Sequence, residues 1–148
     1  MVPDAIVHAT STGGTQAGLD CGLALAASEV PVIGYNVYAG DVEAQRAAVQ
    51  ELRDRVADLV SADLTGRTLS ILDAKGPGYG LPTAEMREAV GLLAGLEGIA
   101  LDPVYSGKAM AALISAIRDG RYGTDDVIVF VHTGGAPGLF AYEAEFSR

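Results

Sequence analysis

The 148 residues predict an α/β fold, with a mostly parallel sheet and helices on both of its faces. Short aliphatic runs alternate along the chain with longer segments of helical period, which is the pattern of strand and helix repeats. Hydrophobic residues make up 49% of the chain and aromatic residues only 6%, so the core is built from Ala, Val, Leu and Ile. Such a core suits helices packed on a buried parallel sheet. Because the length is close to that of one domain, we expect a single α/β domain over residues 1–148.

The first half of the chain alternates twice between an apolar run and a helical pattern. Residues 5–9 are aliphatic and lead into a Gly-rich turn, after which an Ala- and Leu-rich stretch continues to residue 28. This order indicates strand, turn and helix. Residues 30–37 predict a second strand, and Asp41 then N-caps a long helix with Glu43 in its first turn. A negative charge is favoured there by the helix dipole.

The second half contains two more helices. Thr83 caps the first of them, which ends at Glu97 and Gly98, and Ser106 opens the second. The segment ahead of Thr83, residues 73–82, is too rich in Gly and Pro to be regular. Further strands are predicted at residues 68–72, 99–105 and 127–131.

Charge and cysteine content exclude several classes of protein. The formal net charge is −9 and no basic cluster interrupts the acidity, which disfavours binding to nucleic acid or to an anionic membrane surface. The single cysteine, Cys21, cannot form an internal disulfide, and the sequence lacks a Cys/His set for zinc, so no metal is expected. No window holds the ~18 apolar residues of a membrane span. These features together predict a cytoplasmic protein.

Four of the five predicted strand ends run into segments rich in Gly, Ser, Thr and Tyr. In a parallel sheet all such ends lie along one edge, where open α/β folds bind ligands. The most specific segment is residues 12–18, because its Gly-rich turn enters a helix and presents free backbone N–H groups to an anion. Thr12 and Thr15 add hydroxyl donors. A tight turn that merely needs small residues would explain Gly13 or Gly14 but would leave the two threonines unassigned.

The type of phosphate can be narrowed from the same segment. A P-loop would require a Lys shortly after the glycines, and Thr15 follows Gly14 instead. The dinucleotide fingerprint requires spaced glycines and an acidic residue about 20 positions later, whereas Gly13 and Gly14 are adjacent and the next strand ends in Asn36, Val37 and Tyr38. A lone phosphate monoester fits best, and pyridoxal 5′-phosphate is the common cofactor that carries one.

Four ordered motifs then show a resemblance to a known family. They are residues 12–18, residues 76–82, the segment 97–110 and residues 132–135. Together they resemble the C-terminal part of the D-cysteine desulfhydrase and 1-aminocyclopropane-1-carboxylate deaminase family. These are fold-type II pyridoxal-phosphate enzymes, similar in fold to the tryptophan synthase β-subunit.

The resemblance spans the whole chain but less than half of a family member. It therefore implies a C-terminal portion, without the N-terminal part that carries the cofactor-linked lysine. Lys75 and Lys108 are the two lysines present, and in the family pattern neither is the cofactor-linked one, so we assign them surface or helix-dipole roles.

Site roles follow from the resemblance residue by residue. It implies that Tyr79 and Tyr105 lie over the cofactor near the substrate as catalytic residues, although a loop or half-buried core tyrosine would look the same in sequence. The deaminase branch has Glu and Leu where this chain has Ser106 and Thr133, so hydroxyls would face the pyridine nitrogen, as in the desulfhydrase branch. The cofactor phosphate would be held by Thr12, Gly13, Gly14 and Thr15.

The implied reaction of a complete enzyme is α,β-elimination from a small amino acid such as D-cysteine, giving pyruvate, ammonia and sulfide. The alternatives are a 1-aminocyclopropane-1-carboxylate deaminase, an inactive fragment that only binds a phosphate, and a phosphosugar-binding domain. The isolated chain is expected to be inactive. The resemblance also implies a homodimer for the full-length enzyme and allows an N-terminal partner chain.

Overall fold

The computed structural model describes residues 1–38 and 40–147. Its described part contains one sheet of four parallel strands: β1 (Ala5–Thr10), β2 (Val32–Asn36), β3 (Ser70–Asp73) and β4 (Ile128–Val131). Their order in the sheet is β3-β2-β1-β4. Ile6 of β1 lies opposite Val32 of β2, and Ala5 lies opposite Ile128 of β4. The predicted parallel α/β architecture is confirmed.

Helices cover both faces of this sheet. They are α1 (Gly14–Leu25), α2 (Val42–Val60), α3 (Ala84–Glu97), α4 (Ser106–Arg118) and α5 (Glu143–Phe146), with a 3₁₀ helix at Ala136–Tyr142. Neighbouring residues of β1 point to opposite faces of the sheet. Val7 packs with residues of α3 and α4, whereas His8 is hydrogen-bonded to Gln16 of α1. The α1 and α2 helices pack together on the His8 face.

The predicted helix ends are present. Asp41 accepts a hydrogen bond from the N–H of Ala44 at 2.7 Å, and Thr83 accepts one from the N–H of Met86 at 3.1 Å. Gly98 follows α3 in the left-handed conformation that ends many helices, with φ of 67°. Within the described ranges, no helix is long and apolar enough to cross a membrane.

Apolar side chains form a core on each face of the sheet. The larger cluster lies between the sheet and the pair α3 and α4, and its buried members are Val7, Tyr35, Met86, Ala89, Val90, Leu101, Ala109, Met110 and Leu113. A smaller cluster of Val49, Leu69 and Ile71 joins α2 to β3. Each ~100 Å² of apolar surface buried in such clusters stabilises the fold by about 2.5 kcal/mol before entropy is counted.

The predicted strand at residues 99–105 is wrong. This segment connects α3 to α4 without regular structure, and Pro103 lacks the N–H that a sheet ladder uses. The carboxylate of Asp102 instead accepts the N–H groups of Val104 at 2.8 Å and Tyr105 at 2.7 Å. This local bonding turns the chain directly into α4.

A chain of buried polar groups connects α1 to the sheet and to α2. His8 is bonded to Gln16 Oε1 at 2.8 Å, and Gln16 Nε2 donates to Asp20 Oδ2 at 3.4 Å. Asp20 lies 3.2 Å from Arg53 Nε and 3.8 Å from Arg67 Nη2. Burial raises the pKa of Asp20, although both arginines act in the opposite direction. The hydrogen bonds of Gln16 to His8 and Asp20 fix the start of α1 against β1.

Candidate functional site

The strand order places a crevice between the carboxyl ends of β1 and β4. The chain adds β2 and β3 on one side of β1 and β4 on the other, so the order of strands reverses between β1 and β4. Open α/β sheets bind ligands outside the carboxyl ends of strands at such a point. A cavity of about 330 Å³ lies there, which is within the range of small-molecule sites. It is lined by residues 9–15, Tyr105 and residues 133–135.

The segment after β1 exposes backbone donors to this cavity. Gly13 precedes α1 in a left-handed conformation, with φ of 85°, and no side chain caps the helix. Among the described residues, the N–H groups of Gly14, Thr15 and Gln16 have no hydrogen-bond acceptor. Thr10 Oγ1, another polar atom at this cavity, is buried without a hydrogen-bond partner. These donors at the positive end of a helix dipole fit a phosphate group.

Thr12 lies in the same lining, and Gln45 of α2 fixes the backbone beside it. The side-chain amide of Gln45 donates to the carbonyl of Ser11. The structure thus brings together the four residues for which phosphate binding is predicted, Thr12, Gly13, Gly14 and Thr15.

A pair of tyrosines stands on the opposite side of the cavity. Tyr105 lines it, and its hydroxyl is hydrogen-bonded to the hydroxyl of Tyr79, with the two ring centroids 5.9 Å apart. Tyr38, which sequence reasoning missed, extends the group with its ring centroid 5.6 Å from that of Tyr79. The hydrogen bond with Tyr79, together with burial, raises the pKa of Tyr105 to about 12. Tyr105 therefore keeps its proton at neutral pH.

Thr133 and Ser106 occupy different surroundings. Thr133 lines the cavity, and its contact with a cofactor stays a prediction. Ser106 is buried, with 4% of its surface exposed, and it is not part of the cavity lining. Its hydroxyl donates to Asp102 Oδ1 at 2.6 Å and accepts the N–H of Asp102 at 2.9 Å. The cofactor contact of Ser106 stays a prediction.

Asp102 is a residue that sequence reasoning missed. Its carboxylate accepts the N–H groups of Val104, Tyr105 and Ser106 as well as the Ser106 hydroxyl, all within 2.8 Å. A Cβ added to Gly135 would lie 2.9 Å from Asp102 Oδ1, so the turn after β4 packs directly on this carboxylate. Asp102 therefore fixes both Tyr105 and the Thr133 turn. The signal in the sequence is an Asp-Pro pair shortly before a helix, which favours a turn.

The two lysines are bonded to backbone carbonyls and are not part of the cavity lining. Lys75 Nζ donates to the carbonyl of Gly40 at 2.7 Å. Lys108 is 2% exposed, so the predicted surface role for it is wrong. Its Nζ donates to the carbonyls of Lys75 and Gly78, both at 2.6 Å, and burial lowers its pKa. Neither lysine lines the cavity.

Known proteins are similar to this chain in sequence and fold. Residues 1–134 match the family described as "Pyridoxal-phosphate dependent enzyme". The chain is 44% identical over 137 residues to the D-cysteine desulfhydrases of Salmonella paratyphi C and Salmonella enteritidis PT4, covering 93% of this chain. It superposes with a TM-score of 0.86 and 34% identity on a solved structure named "Crystal Structure Analysis of the ACC deaminase homologue", covering 96% of this chain.

This chain spans 42% of the length of those relatives and 42% of that solved chain. The relatives and the solved structure are named for D-cysteine desulfhydrase and ACC deaminase, the two activities in the name of the family that the sequence resembles. The family description also names pyridoxal phosphate, the cofactor that the resemblance implies. With the match extending over residues 1–134, the chain belongs to the family of pyridoxal-phosphate-dependent enzymes.

Proposed function

We propose that this chain binds the phosphate of pyridoxal phosphate and, within a complete enzyme, supports α,β-elimination on a small amino acid such as D-cysteine. One observation carries the proposal: the unpaired N–H groups that begin α1 face the same cavity as Tyr105 and Thr133. One cavity, of a size that suits a cofactor, is thus lined by three kinds of group. They are hydrogen-bond donors for an anion, a tyrosine that keeps its proton and a neutral hydroxyl.

Phosphate binding is the task of the first turn of α1. The N–H groups of Gly14 and Thr15 supply donors whose position is fixed by the helix, and the hydroxyls of Thr12 and Thr15 add to them. A dianion held there neutralises the positive end of the helix dipole, a stabilisation of roughly 0.3–1 kcal/mol at exposed sites and up to ~2 kcal/mol when partly buried. When bound, pyridoxal phosphate supplies an electron sink for an amino acid that loses its α-proton.

Thr133 favours elimination with a good leaving group. Its hydroxyl can donate a hydrogen bond but carries no charge, so it does not hold a proton on a ring nitrogen as a carboxylate would. The resulting weaker sink suffices when the bond to the β-substituent breaks readily. In D-cysteine the α-carbon loses a proton and the Cβ–S bond breaks, with sulfide taking the electron pair. Addition of water then gives pyruvate and ammonia.

The pair Tyr79 and Tyr105 acts as a proton donor in this proposal. Because Tyr105 has a pKa of about 12, it is a poor base at neutral pH and a reservoir of one proton beside the substrate. The thiolate form of the substrate needs such a proton, because its sulfur then leaves as HS⁻ rather than as S²⁻. Tyr79, bonded to Tyr105, completes the path by which that proton is replaced from the solvent side, where 44% of Tyr79 is exposed.

We also propose that polypeptide outside these residues completes the site. No described lysine reaches the cavity, and the relatives are more than twice as long as the matched segment.

The edge of β4 that faces away from β1 can pair with this further polypeptide. The carbonyl of Val127 accepts the N–H of Asp4 at 2.8 Å, so the amide groups of Ile128 and Phe130 point away from β1. Those groups have no hydrogen-bond partner in the described part of the chain.

The opposite edge of the sheet is already covered. Arg46 of α2 donates to the outward carbonyls of Leu69 and Ile71 beside β3, at 3.3 and 3.2 Å. An edge strand with free amides pairs readily with another strand, whereas one covered by a side chain does not. The further polypeptide is therefore expected to add to β4.

A hybrid enzyme tests the proposed function. The 137-residue segment of the Salmonella paratyphi C desulfhydrase that matches this chain is replaced by the corresponding residues of this chain. We expect the hybrid to bind pyridoxal phosphate and to release pyruvate and sulfide from D-cysteine. Tyr105→Phe in the hybrid should lower kcat by more than it lowers cofactor affinity. A hybrid that folds and binds the cofactor but leaves D-cysteine intact would contradict the proposed reaction.

Deamination of 1-aminocyclopropane-1-carboxylate is the second candidate, because the solved structure with a TM-score of 0.86 is named as a homologue of the ACC deaminase. The same hybrid separates the two reactions. Ring opening of the cyclopropane yields a four-carbon keto acid, whereas D-cysteine yields the three-carbon pyruvate. Release of only the four-carbon product would favour the deaminase.

A further inference from the structure

We propose that Lys108 is a positioning residue that holds Tyr79 against Tyr105. The role rests on the proposed function, in which these two tyrosines carry a proton, but the contacts that support it do not depend on a cofactor. The ammonium group of Lys108 is buried and makes two short hydrogen bonds, both at 2.6 Å, to carbonyls of the loop that carries Tyr79.

Those two carbonyls belong to Lys75 and Gly78, at either end of the turn just before Tyr79. The carbonyl of Gly78 is part of the peptide group that leads into Tyr79, so its position sets where the tyrosine begins. A cation bonded to neutral carbonyls makes charge-assisted hydrogen bonds, which are stronger than those between neutral groups. The loop itself is rich in Gly and Pro and contains no regular structure, so side-chain contacts of this kind decide its shape.

Lys108 joins this loop to the helix that carries the partner tyrosine. Tyr105 precedes α4, and Lys108 lies in the first turn of that helix. The carboxylate of Asp102 fixes the same turn through the N–H groups of Tyr105 and Ser106, at 2.7 and 2.8 Å. Lys108 thus extends from a rigid base, and one side chain sets the distance between the two phenols.

A second contact holds the loop from the other side. The hydroxyl of Tyr142 donates to the carbonyl of Gly80 at 2.8 Å. Lys75 bonds to Gly40, outside the loop, and its ammonium group lies at the surface. Lys75 therefore offers a matched control: it is a lysine of the same loop that does not fix the peptide group before Tyr79.

The first test uses the unaltered chain. Reductive methylation of the native protein, followed by peptide mass mapping, should modify Lys75 readily and leave Lys108 unmodified, and both should react after unfolding in urea. These are the two lysines of the chain, so each product has one source. Equal reactivity of the two lysines in the native protein would overturn the proposal.

The second test measures the tyrosine pair in variants by NMR of tyrosine labelled at Cζ, with Tyr105→Phe to assign the signal. In Lys108→Met, the contact between the rings of Tyr79 and Tyr105 at neutral pH should be lost. The pKa of Tyr105 should then fall from about 12 towards the ordinary value near ~10, as in Tyr79→Phe. Lys108→Arg, which keeps the charge and the donors, should restore both signals, and Lys75→Met should leave them unchanged.

A loss of general stability alone would not shift the titration of one tyrosine, so the readout separates positioning from a merely structural role. A folded Lys108→Met protein in which Tyr105 still titrates near 12 would overturn the proposal. If Lys108→Met does not fold, the same measurement on Lys108→Gln decides, and an unaltered tyrosine pair there counts against the role. Because none of these measurements uses pyridoxal phosphate or D-cysteine, their failure is distinguishable from failure of the proposed function.

Discussion

Substituting Gly13 by Ala should damage the fold at the phosphate-binding turn by a calculable amount. Gly13 has φ of 85°, and an Ala forced into the left-handed region costs roughly 1–2 kcal/mol. Its added Cβ would lie 2.7 Å from Val49 Cγ2, well inside the ~3.5–4.0 Å of an ordinary carbon contact. Val49 is fully buried and cannot move aside freely, and overpacking of this kind costs about 1–3 kcal/mol. The free energy of unfolding should therefore fall by about 2–5 kcal/mol.

Urea unfolding followed by circular dichroism measures this change. With a dependence on urea of about 2 kcal/mol per molar, in the middle of the usual range, the midpoint should fall by roughly 1–2.5 M. Gly14→Ala is the matched control, because Gly14 is helical and an added Cβ meets nothing within 4 Å. Its free energy of unfolding should stay unchanged or rise by up to about 1 kcal/mol.

A double-mutant cycle isolates the clash. Val49→Ala removes the methyl groups that the new Cβ would meet, so Gly13→Ala should cost less in that background by about 1 kcal/mol or more. Inorganic phosphate should stabilise the wild-type chain against urea, and Gly13→Ala should reduce that effect because the N–H groups at the start of α1 are displaced. Equal unfolding midpoints for Gly13→Ala and Gly14→Ala would refute the reasoning.

Three further changes have defined outcomes. Asp102→Ala removes the acceptor of four hydrogen bonds at the start of α4, so it should lower the free energy of unfolding by about 2–4 kcal/mol in urea, with Asp102→Asn losing less. Because burial raises the pKa of Asp20, its contribution to the free energy of unfolding is fully present at low pH and falls as pH rises through that pKa. The urea midpoint of Asp20→Asn relative to wild type should accordingly increase between pH ~4 and ~7, and a fixed difference would contradict the sign. Borohydride trapping with pyridoxal phosphate should give no saturable adduct on Lys75 or Lys108 in the isolated chain, since neither lysine lines the cavity. Labelling of the surface amine of Lys75 should rise with the aldehyde concentration without saturating, so a saturable, stoichiometric adduct at one lysine in the mass map would count against this view.

Local patterns were sufficient to predict most of the elements, because each depends on residues close in sequence. Asp41 and Thr83 begin their helices by bonding to N–H groups three residues ahead, a contact that a sequence displays directly. The strand predicted at residues 99–105 is wrong because strand pairing depends on residues that are distant in sequence. An apolar segment such as residues 99–105 has the composition of a strand, but whether it pairs depends on a neighbour that the sequence does not identify, and the carboxylate of Asp102 provided an alternative partner for its backbone.

The site was predictable as an edge of the sheet but not as a cavity. That Gly13 and Thr133 lie at the ends of parallel strands follows from the pattern, whereas their adjacency depends on β4 pairing with β1 rather than with β3. The surroundings of Ser106 and Lys108 could not be predicted for a related reason. Asp102 is only four residues from Ser106, but the sequence does not show that its one carboxylate bonds to the Ser106 hydroxyl and to three backbone groups. Lys108 bonds to carbonyls some thirty residues away, so its partners are not encoded in its own neighbourhood. Both contacts begin at the first turn of α4, beside Tyr105. The residues that lie in the cavity carry the recognisable motifs, and the residues that hold them in place are found from the three-dimensional contacts.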